Sequence, residues 1–381
     1  MRILTFLHSF EPGGVERVAL RLVRHWRAAG VDAPLFLGRT DGAMRQEPDL
    51  KLDGHVPRPL PISTARCETL WMIATLPFTI RRLRPDALFC AGNCYAVVAV
   101  AMKLLLGRAC PPIVAKISND LERREMAWPA RIAYRAWLRV QGRCIDHFVA
   151  MAPGLEQEIV RLIRPASGAV SIIPDPALSL DQIARLRAAR RAGDGKGRLF
   201  VAIGRLVAQK NYTLMLHAFA QGSRADDRLH IYGEGPARSH IITLSQRLGI
   251  DARVTLMGYV ADPATCIGDA DVFLLASDYE GVPAVLLEAL AVGLPVIATQ
   301  CSAAMPELLQ NGVLGQLVTS RNTVHLAVAI SQADTLSQDA DASLEQARRF
   351  TLERAAPAYL RAFAATRRTP LPFPSTTPSL T

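Results

Sequence analysis

The stretch Tyr279–Ala298, YEGVPAVLLEALAVGLPVIA, reads as a loop, a short helix, a Gly-Pro turn and a buried strand. Pro283 suits a first helical position, where its missing N–H would have no partner anyway. From Pro283 to Val292 every side chain is apolar except Glu288. A helix apolar all round is a buried helix, and a carboxylate inside one is costly unless something hydrogen-bonds it. Glu280 stands eight residues earlier, just before the helix. At about 1.5 Å rise per residue the two carboxylates lie roughly 10 Å apart along the axis. That is too far to work on one bond together and suits the two ends of an elongated ligand. Plainer roles stay open on these residues alone. Glu280 can complement the helix N-terminus, worth about 0.3–1 kcal/mol, and Glu288 can pair with an arginine.

Outward from this stretch, short apolar runs alternate with helical patterns. On the C-terminal side of the chain, strands are expected at 199–203, 229–232, 254–257, 272–276, 295–298 and 316–318, with helices near 212–221, 237–248 and 283–292. The same rhythm fills the first part, with strands at 3–7, 34–37, 86–90, 112–117, 147–151 and 171–173 and helices near 15–29, 69–83, 95–106 and 128–142. Residues 39–63 are rich in Pro, Gly and charge and read as mostly loop. Buried strands alternating with helices mean a parallel, doubly wound α/β sheet, here twice over. The expected division is a domain over 1–174, a linker region over 175–198 holding a helix at 179–191, and a second domain over 199–350. A C-terminal helix over 351–366 is expected to pack back toward the first domain. The tail 367–381, rich in Pro, Ser and Thr, is expected to be disordered.

The 381 residues carry a net charge of +10, unevenly placed. Residues 1–176 hold 24 basic against 16 acidic side chains, and residues 177–381 hold 20 against 18. The first half is therefore suited to an anionic partner. Seven cysteines without a CxxC give neither a disulfide framework nor a metal spacing, and Cys90 and Cys94 read as small core residues. This suits a reducing compartment. The longest apolar run, Tyr95 to Leu106, falls short of the roughly 20 residues of a membrane span.

In tandem doubly wound sheets, ligands bind beyond the carboxyl ends of the strands, so the loops that follow strands carry the candidates. Pro12-Gly13-Gly14 opens the first helix, with Glu16 and Arg17 in its first turn. Glycines there let backbone N–H groups approach an anion. Gly204-Arg205 follows the strand 199–203, and Lys210 precedes the next helix. Only five of the 44 basic residues are lysines, and a point-charge donor beside a helix N-terminus suits a phosphate. Gly233-Glu234-Gly235-Pro236 forms another turn into a helix, and the backbone of Gly258-Tyr259-Val260 can meet a flat base. Asp269-Ala270-Asp271 resembles a metal motif but precedes its strand, at the amino end away from the ligand, so no metal is expected there. The histidines show no metal spacing, and His147 reads as a satisfied core residue inside a strand. No nucleophile elbow and no P-loop is present. Arg131, Arg135, Arg139 and Arg143 share one helix face, with Arg123 and Arg124 upstream and Trp128, Ile132, Trp137 and Val140 as apolar bulk. Such a helix suits an anionic bilayer surface; a solvated charged face is the plainer alternative.

Taken together, these residues resemble family 4 of the retaining glycosyltransferases, whose GT-B architecture pairs two Rossmann-like domains across a cleft. The likeness is strongest over 199–318, in Glu280-x7-Glu288, in Gly204-Arg205 with Lys210, in GEGP at 233–236, and in Pro306-Glu307-Leu308 with Gly315. It is weaker but collinear over 1–173, where Gly13-Gly14-Val15-Glu16 matches the family's glycine loop. The resemblance implies a nucleotide-sugar donor, UDP- or GDP-linked, and neither a metal nor another cofactor. Arg205 and Lys210 would hold the diphosphate. Glu280 and the N–H groups of Gly281 and Val282 would contact the transferred sugar and nearby phosphate, and Glu288 would take the ribose hydroxyls. Gly233, Gly258 and Tyr259 would complete the donor side, with Gly13 and Gly14 approaching from the first domain. Many members carry a His after the strand that here ends at Ile117, where this chain has Ser118-Asn119-Asp120. Either Asn119 or Asp120 would contact the sugar in its place or the acceptor chemistry differs, with Glu16 and Arg17 also on the acceptor side.

The reading that follows is a retaining, metal-independent transferase building a bacterial surface glycan on a lipid-linked acceptor. It would be cytoplasmic and peripheral on the inner face of the cell membrane, with no nucleic-acid partner. An epimerase of nucleotide sugars, or a non-catalytic nucleotide- or membrane-binding protein, are the alternatives.

Overall fold

The computed structural model describes residues 1–366 apart from 12, 40, 47–54, 57–66, 124–125, 192–194, 196, 261–263 and 337–338. The chain forms two parallel sheets. The first contains β1 (Ile3–Leu7), β2 (Leu35–Leu37), β3 (His55–Val56), β4 (Ala87–Cys90), β5 (Ile113–Lys116), β6 (His147–Ala150) and β7 (Val170–Ile172), in the order β3-β2-β1-β4-β5-β6-β7. The second contains β8 (Leu199–Ile203), β9 (Arg228–Tyr232), β10 (Val254–Gly258), β11 (Val272–Leu275), β12 (Val296–Thr299) and β13 (Gln316–Val318), in the order β10-β9-β8-β11-β12-β13. The central strands are buried along their whole length, which is why they read as unbroken apolar runs rather than as alternating ones.

Helices α1 (Gly14–Ala28), α2 (Glu68–Leu83), α3 (Ala96–Leu106), α4 (Trp128–Cys144) and α5 (Pro153–Glu158) belong to the first sheet, and α6 (Leu180–Ala189) follows it. Around the second sheet lie α7 (Tyr212–Gly222), α8 (Arg238–Arg247), α9 (Ala264–Ile267), α10 (Ala284–Ala291), α11 (Met305–Leu308), α12 (Thr323–Ser331) and α13 (Ala340–Arg349). Last comes α14 (Leu352–Thr366), which packs on α1 of the first sheet. Trp26 and Phe89 meet Tyr359 and Phe363 in edge-to-face contacts with centroids 5.4–6.1 Å apart. The Trp26 indole N–H also donates to the Ala356 carbonyl at 3.2 Å. Four aromatic rings thus fasten α14 to α1 and β4. The two crossings between the sheets also bond to each other, the Leu352 N–H donating to the Leu178 carbonyl.

Four sequence expectations change. Pro283 is extended and caps α10 rather than opening it, with the Leu286 N–H donating to its carbonyl. Cys94 is exposed, although Cys90 is buried as expected. The stretch 39–63 contributes strand β3 at the sheet edge. Helix α5 and the π-helical turn Ile159–Ile163 fill a segment for which no helix was expected. The tail 367–381 and Arg124 lie outside the described residues.

Candidate active site

In an open parallel sheet the crevice forms where strand order reverses, outside the carboxyl ends. In the second sheet that point lies between β8 and β11. The loop after β8 carries Gly204, Arg205 and Lys210, and the loop after β11 carries Ser277 to Val282. Four bonds stitch these loops together. Lys210 Nζ meets Glu280 Oε1 at 2.6 Å. Gln209 Nε2 donates to the Tyr279 carbonyl at 2.7 Å, and the Asp278 N–H to the Gln209 carbonyl at 2.8 Å. Asn211 Nδ2 donates to Asp278 Oδ1 at 2.9 Å. Asn211 itself is left-handed (φ 47°) and its side chain caps α7 through the Leu214 N–H. The loop that delivers Lys210 is therefore held by the helix it opens.

Glu280 also accepts from Ser277 Oγ at 2.9 Å, and its side chain and that of Lys210 are 14% and 15% exposed. A lysine ammonium has three donors, and the cleft-facing pair can turn some of them to a ligand. Arg205 is exposed beside them, with no ion-pair partner among the described residues. Gly204 lies under the Lys210 stem, where a Cβ would come within 2.9 Å of Cε. Gly233 has φ 142°, and any Cβ there would overlap the Gly204 carbonyl. Its N–H donates to the Gly258 carbonyl at 2.7 Å. Three strand-end loops thus touch through backbone, which only glycine permits at this spacing. Tyr259 is exposed at the rim.

Glu288 is 5% exposed within α10 and accepts from Gln182 Nε2 of α6 at 2.9 Å. Neither Ser277 nor Gln182 was a candidate from sequence. Ser277 had a signal, its place in the strand-end loop. Gln182 had none, because its partner lies 106 residues away.

The first sheet faces this cluster. Gly281 lies so close to the Ser118 carbonyl that a Cβ would overlap it. Val282 packs against apolar residues of both sheets' cores. Asp120 reaches across to the Ala303 N–H at 3.2 Å. Its carboxyl is pushed up to about 6, first by burial and then by Glu158, with Glu122 adding to this and the Ala303 N–H opposing. Asn119 is exposed beside it. Gly13 caps α1 and Gly14 begins it, with open space where a Gly14 side chain would stand. The Glu16 carboxylate folds back against Gly13 and accepts from Tyr95 Oη at 2.6 Å, and the Arg17 N–H donates to the Gly13 carbonyl. Arg131, Arg135, Arg139 and Arg143 lie along α4.

The remaining motifs fall as the sequence suggested. Asp271 sits at the amino end of the strands, accepting from the Leu199 N–H at 2.8 Å. His147 is buried and bonds Ser171 Oγ at 2.8 Å, and burial lowers its pKa.

Comparison with known proteins converges on the same two halves. Residues 12–176 match the family described as Glycosyltransferase Family 4, and residues 197–334 that described as Glycosyl transferases group 1. The N-acetylgalactosamine-N,N'-diacetylbacillosaminyl-diphospho-undecaprenol 4-alpha-N-acetylgalactosaminyltransferase of Campylobacter jejuni is 31% identical over 127 residues, 33% of this chain and 34% of that protein. The lipopolysaccharide 1,6-galactosyltransferase of Escherichia coli is 26% identical over 180 residues, 46% and 48% of the two chains. The matches thus span a third to a half of these relatives' lengths. Among solved structures, the apo lipopolysaccharide outer core galactosyltransferase WaaB superposes with a TM-score of 0.74 at 18% identity, covering 96% of this chain and 99% of that one. Anabaena HepE in complex with UDP-glucose gives 0.74 at 20% identity over 96% and 100%. The chain belongs to glycosyltransferase family 4, with the two facing sheets of the GT-B architecture.

Proposed function

We propose that the protein transfers a sugar, with retention of configuration, from a UDP- or GDP-linked donor to a hydroxyl of a lipid-linked glycan in bacterial surface polysaccharide synthesis. The observation that carries this reading is the Lys210–Glu280 pair at the switch point of the second sheet, beside the exposed Arg205. As the bond from the sugar to the diphosphate breaks, negative charge grows on the phosphate oxygens and positive charge on the anomeric carbon. Lys210, Arg205 and the N–H groups of Gly281 and Val282 would stabilise the first charge where it forms, so the reading requires no metal. Glu280 would orient the sugar, and front-face attack by the acceptor would retain configuration. Glu288 would hold the ribose end. Among known proteins, Anabaena HepE has been solved with UDP-glucose, and the Campylobacter relative is named for a diphospho-undecaprenol acceptor.

The lipid-linked acceptor finds support on the outer side of the first sheet. Helices α2, α3 and α4 pack side by side. They expose Leu70 and Phe78 from α2, Leu104 from α3 and Trp128 from α4, each 68–72% exposed. Leu105 and Ile132 on the same helices are exposed as well. Large apolar side chains left in water on neighbouring helices suit an interaction surface. The arginine row of α4 runs beside it, and burial together with Arg164, Arg143 and Arg135 holds the Arg139 pKa below its ordinary value. An anionic membrane surface relieves that crowding while covering the apolar side chains. No described helix is long and apolar enough to cross a membrane.

Thermal shift with UDP, GDP and ADP, plain and sugar-linked, tests the donor site. A ligand at 100 times its Kd stabilises by about 2.7 kcal/mol, and no shift with any of them sinks the assignment. Incubation with donor alone separates transfer from epimerisation, since only an epimerase returns an isomeric donor. Sedimentation with phosphatidylglycerol vesicles at two salt concentrations tests the α2–α4 surface. Binding that is absent, or indifferent to salt, rejects it.

A further inference from the structure

The second sheet's switch point has a counterpart in the first, between β1 and β4, and side chains converge there from several loops. His8 follows β1, and Tyr95 lies in the turn after β4. Their rings pack against each other at a 40° tilt, with centroids 4.7 Å apart. The fully buried Tyr95 accepts the His8 backbone N–H at 3.3 Å and donates to Glu16 Oε1 at 2.6 Å. His8 Nε2 meets Thr69 Oγ1 at 3.2 Å, and Nδ1 has no partner among the described residues. In the tautomer that donates Nε2–H to Thr69, Nδ1 carries a free lone pair. Burial lowers the imidazole pKa, with Glu68 and Glu16 acting in the opposite direction.

The local charge is the reverse of the surrounding one. Arg39 is bound by Glu68 at 2.9 Å, Asp41 at 2.8 Å and Glu11 at 3.2 Å. With Glu16, the described residues here set four carboxylates beside the Arg39 guanidinium, in a half of the chain that is otherwise strongly basic. A phosphate or uronate would be repelled here, and a neutral hydroxyl group would not. The crevice is also continuous with the donor loops. Gly92 after β4 lies between Val15 of α1 and Ser118, and Ser118 touches Gly281.

We infer that His8 is an acceptor-binding, specificity-determining residue, its Nδ1 accepting a hydrogen bond from a hydroxyl of a neutral sugar lodged in the β1/β4 crevice. The inference rests on the transferase reading and adds the class of the acceptor's terminal unit. Any charged or apolar part of the acceptor lies elsewhere, toward the basic and apolar α2–α4 surface.

The test uses the full chain with whichever nucleotide sugar raises its melting temperature. The acceptor probes are the octyl glycosides of glucose, galactose, mannose, N-acetylglucosamine and N-acetylgalactosamine, with octyl glucuronide as the anionic control. His8→Phe keeps a ring against Tyr95 and removes both nitrogens. It is expected to raise the acceptor KM about tenfold, the loss of one hydrogen bond, with the donor-induced melting shift unchanged. His8→Gln, which presents an amide oxygen, is expected to return the KM to within about threefold. An unchanged KM in His8→Phe overturns the inference. So does glucuronide as the best acceptor, or transfer to no neutral glycoside by protein that binds donor. If no nucleotide sugar shifts the melting temperature, the transferase reading itself has failed, and the two failures are distinguishable.

Discussion

Lys116 and Lys210 each form a close pair with a carboxylate where distant parts of the chain meet, and they differ in what surrounds them. Lys116 ends β5 and bonds Asp175 at the start of the connection between the sheets, with the two side chains 2% and 10% exposed. The buried Tyr359 of α14 lies close enough for Asp175 to help raise its pKa, after burial itself. Lys210 pairs with Glu280 at the cleft, with both side chains about seven-eighths covered. The chemistry is the same, but the first pair is sealed by three elements and the second borders the space between the sheets. A sealed pair has nothing else to bond, so its role is to fix how the linker leaves the first sheet. A pair at the cleft can exchange partners when an anion arrives. Burial, not residue type, separates a structural lysine from a ligand-facing one here.

This contrast breaks first at Lys116. Lys116→Met is expected to cost about 3–5 kcal/mol of stability, because it strands a buried carboxylate. The pair Lys116→Met with Asp175→Leu should recover most of it. Urea unfolding measures both, and turnover per folded molecule should stay near wild type. Lys210→Met should do the opposite. It is expected to slow transfer about 10²- to 10³-fold, roughly 2.7–4 kcal/mol in the transition state, while costing less stability than Lys116→Met. If turnover falls equally in the two variants, the division of roles between the pairs is wrong.

A third carboxylate, Asp120, joins the regions the lysines separate, since it spans from the first sheet to Ala303. Its folded pKa of about 6 exceeds the ordinary 3.8, so the folded chain holds the proton more tightly than the unfolded one. Its contribution to stability is therefore complete below about pH 4 and is lost as pH rises through 6. Between pH 4 and 7.5 wild type should lose on the order of 2–3 kcal/mol relative to Asp120→Asn, read as the difference between their urea unfolding curves. Parallel curves over that range would show that Asp120 is not held near its neutral form.

What the sequence disclosed follows from how local each signal is. The buried parallel strands were legible because each must be apolar along its length, and twelve of the thirteen were anticipated within a few residues. The strand β3 was not, because two residues in a Pro- and Gly-rich stretch carry no period. Helix α5 was not anticipated, since it is short and begins with Pro153 and Gly154, poor helix formers in general, although proline suits a first helical turn. In the second sheet every candidate loop begins at a strand end and carries its own glycine or charge, so Lys210 and Glu280 were visible singly. Their mutual bond was not, and neither was the His8–Tyr95 ring contact. Both depend on strand order, which places residues 70 and 87 positions apart side by side. Cys94 was misplaced because the composition of a turn says little about which way it faces.

The smallest expected effect sharpens the comparison within α10. Glu280 precedes this short helix and Glu288 lies within it, yet one shares the cleft with Lys210 and Ser277 while the other is buried against Gln182 of α6. A carboxylate offers several acceptor positions, and Gln182 occupies one of those on Glu288. Glu288→Gln keeps the volume and removes the charge, and charge-assisted bonds are the stronger ones. It should therefore weaken UDP or GDP binding about tenfold, some 1.4 kcal/mol, by isothermal titration, and leave the rate at saturating donor within a few-fold. Glu280→Gln should leave nucleotide affinity nearly unchanged and lower that saturating rate. Exchange of the two patterns would mean that the sugar lies at the buried end of the helix and the nucleotide at the cleft, reversing the donor's orientation across the β8/β11 switch point.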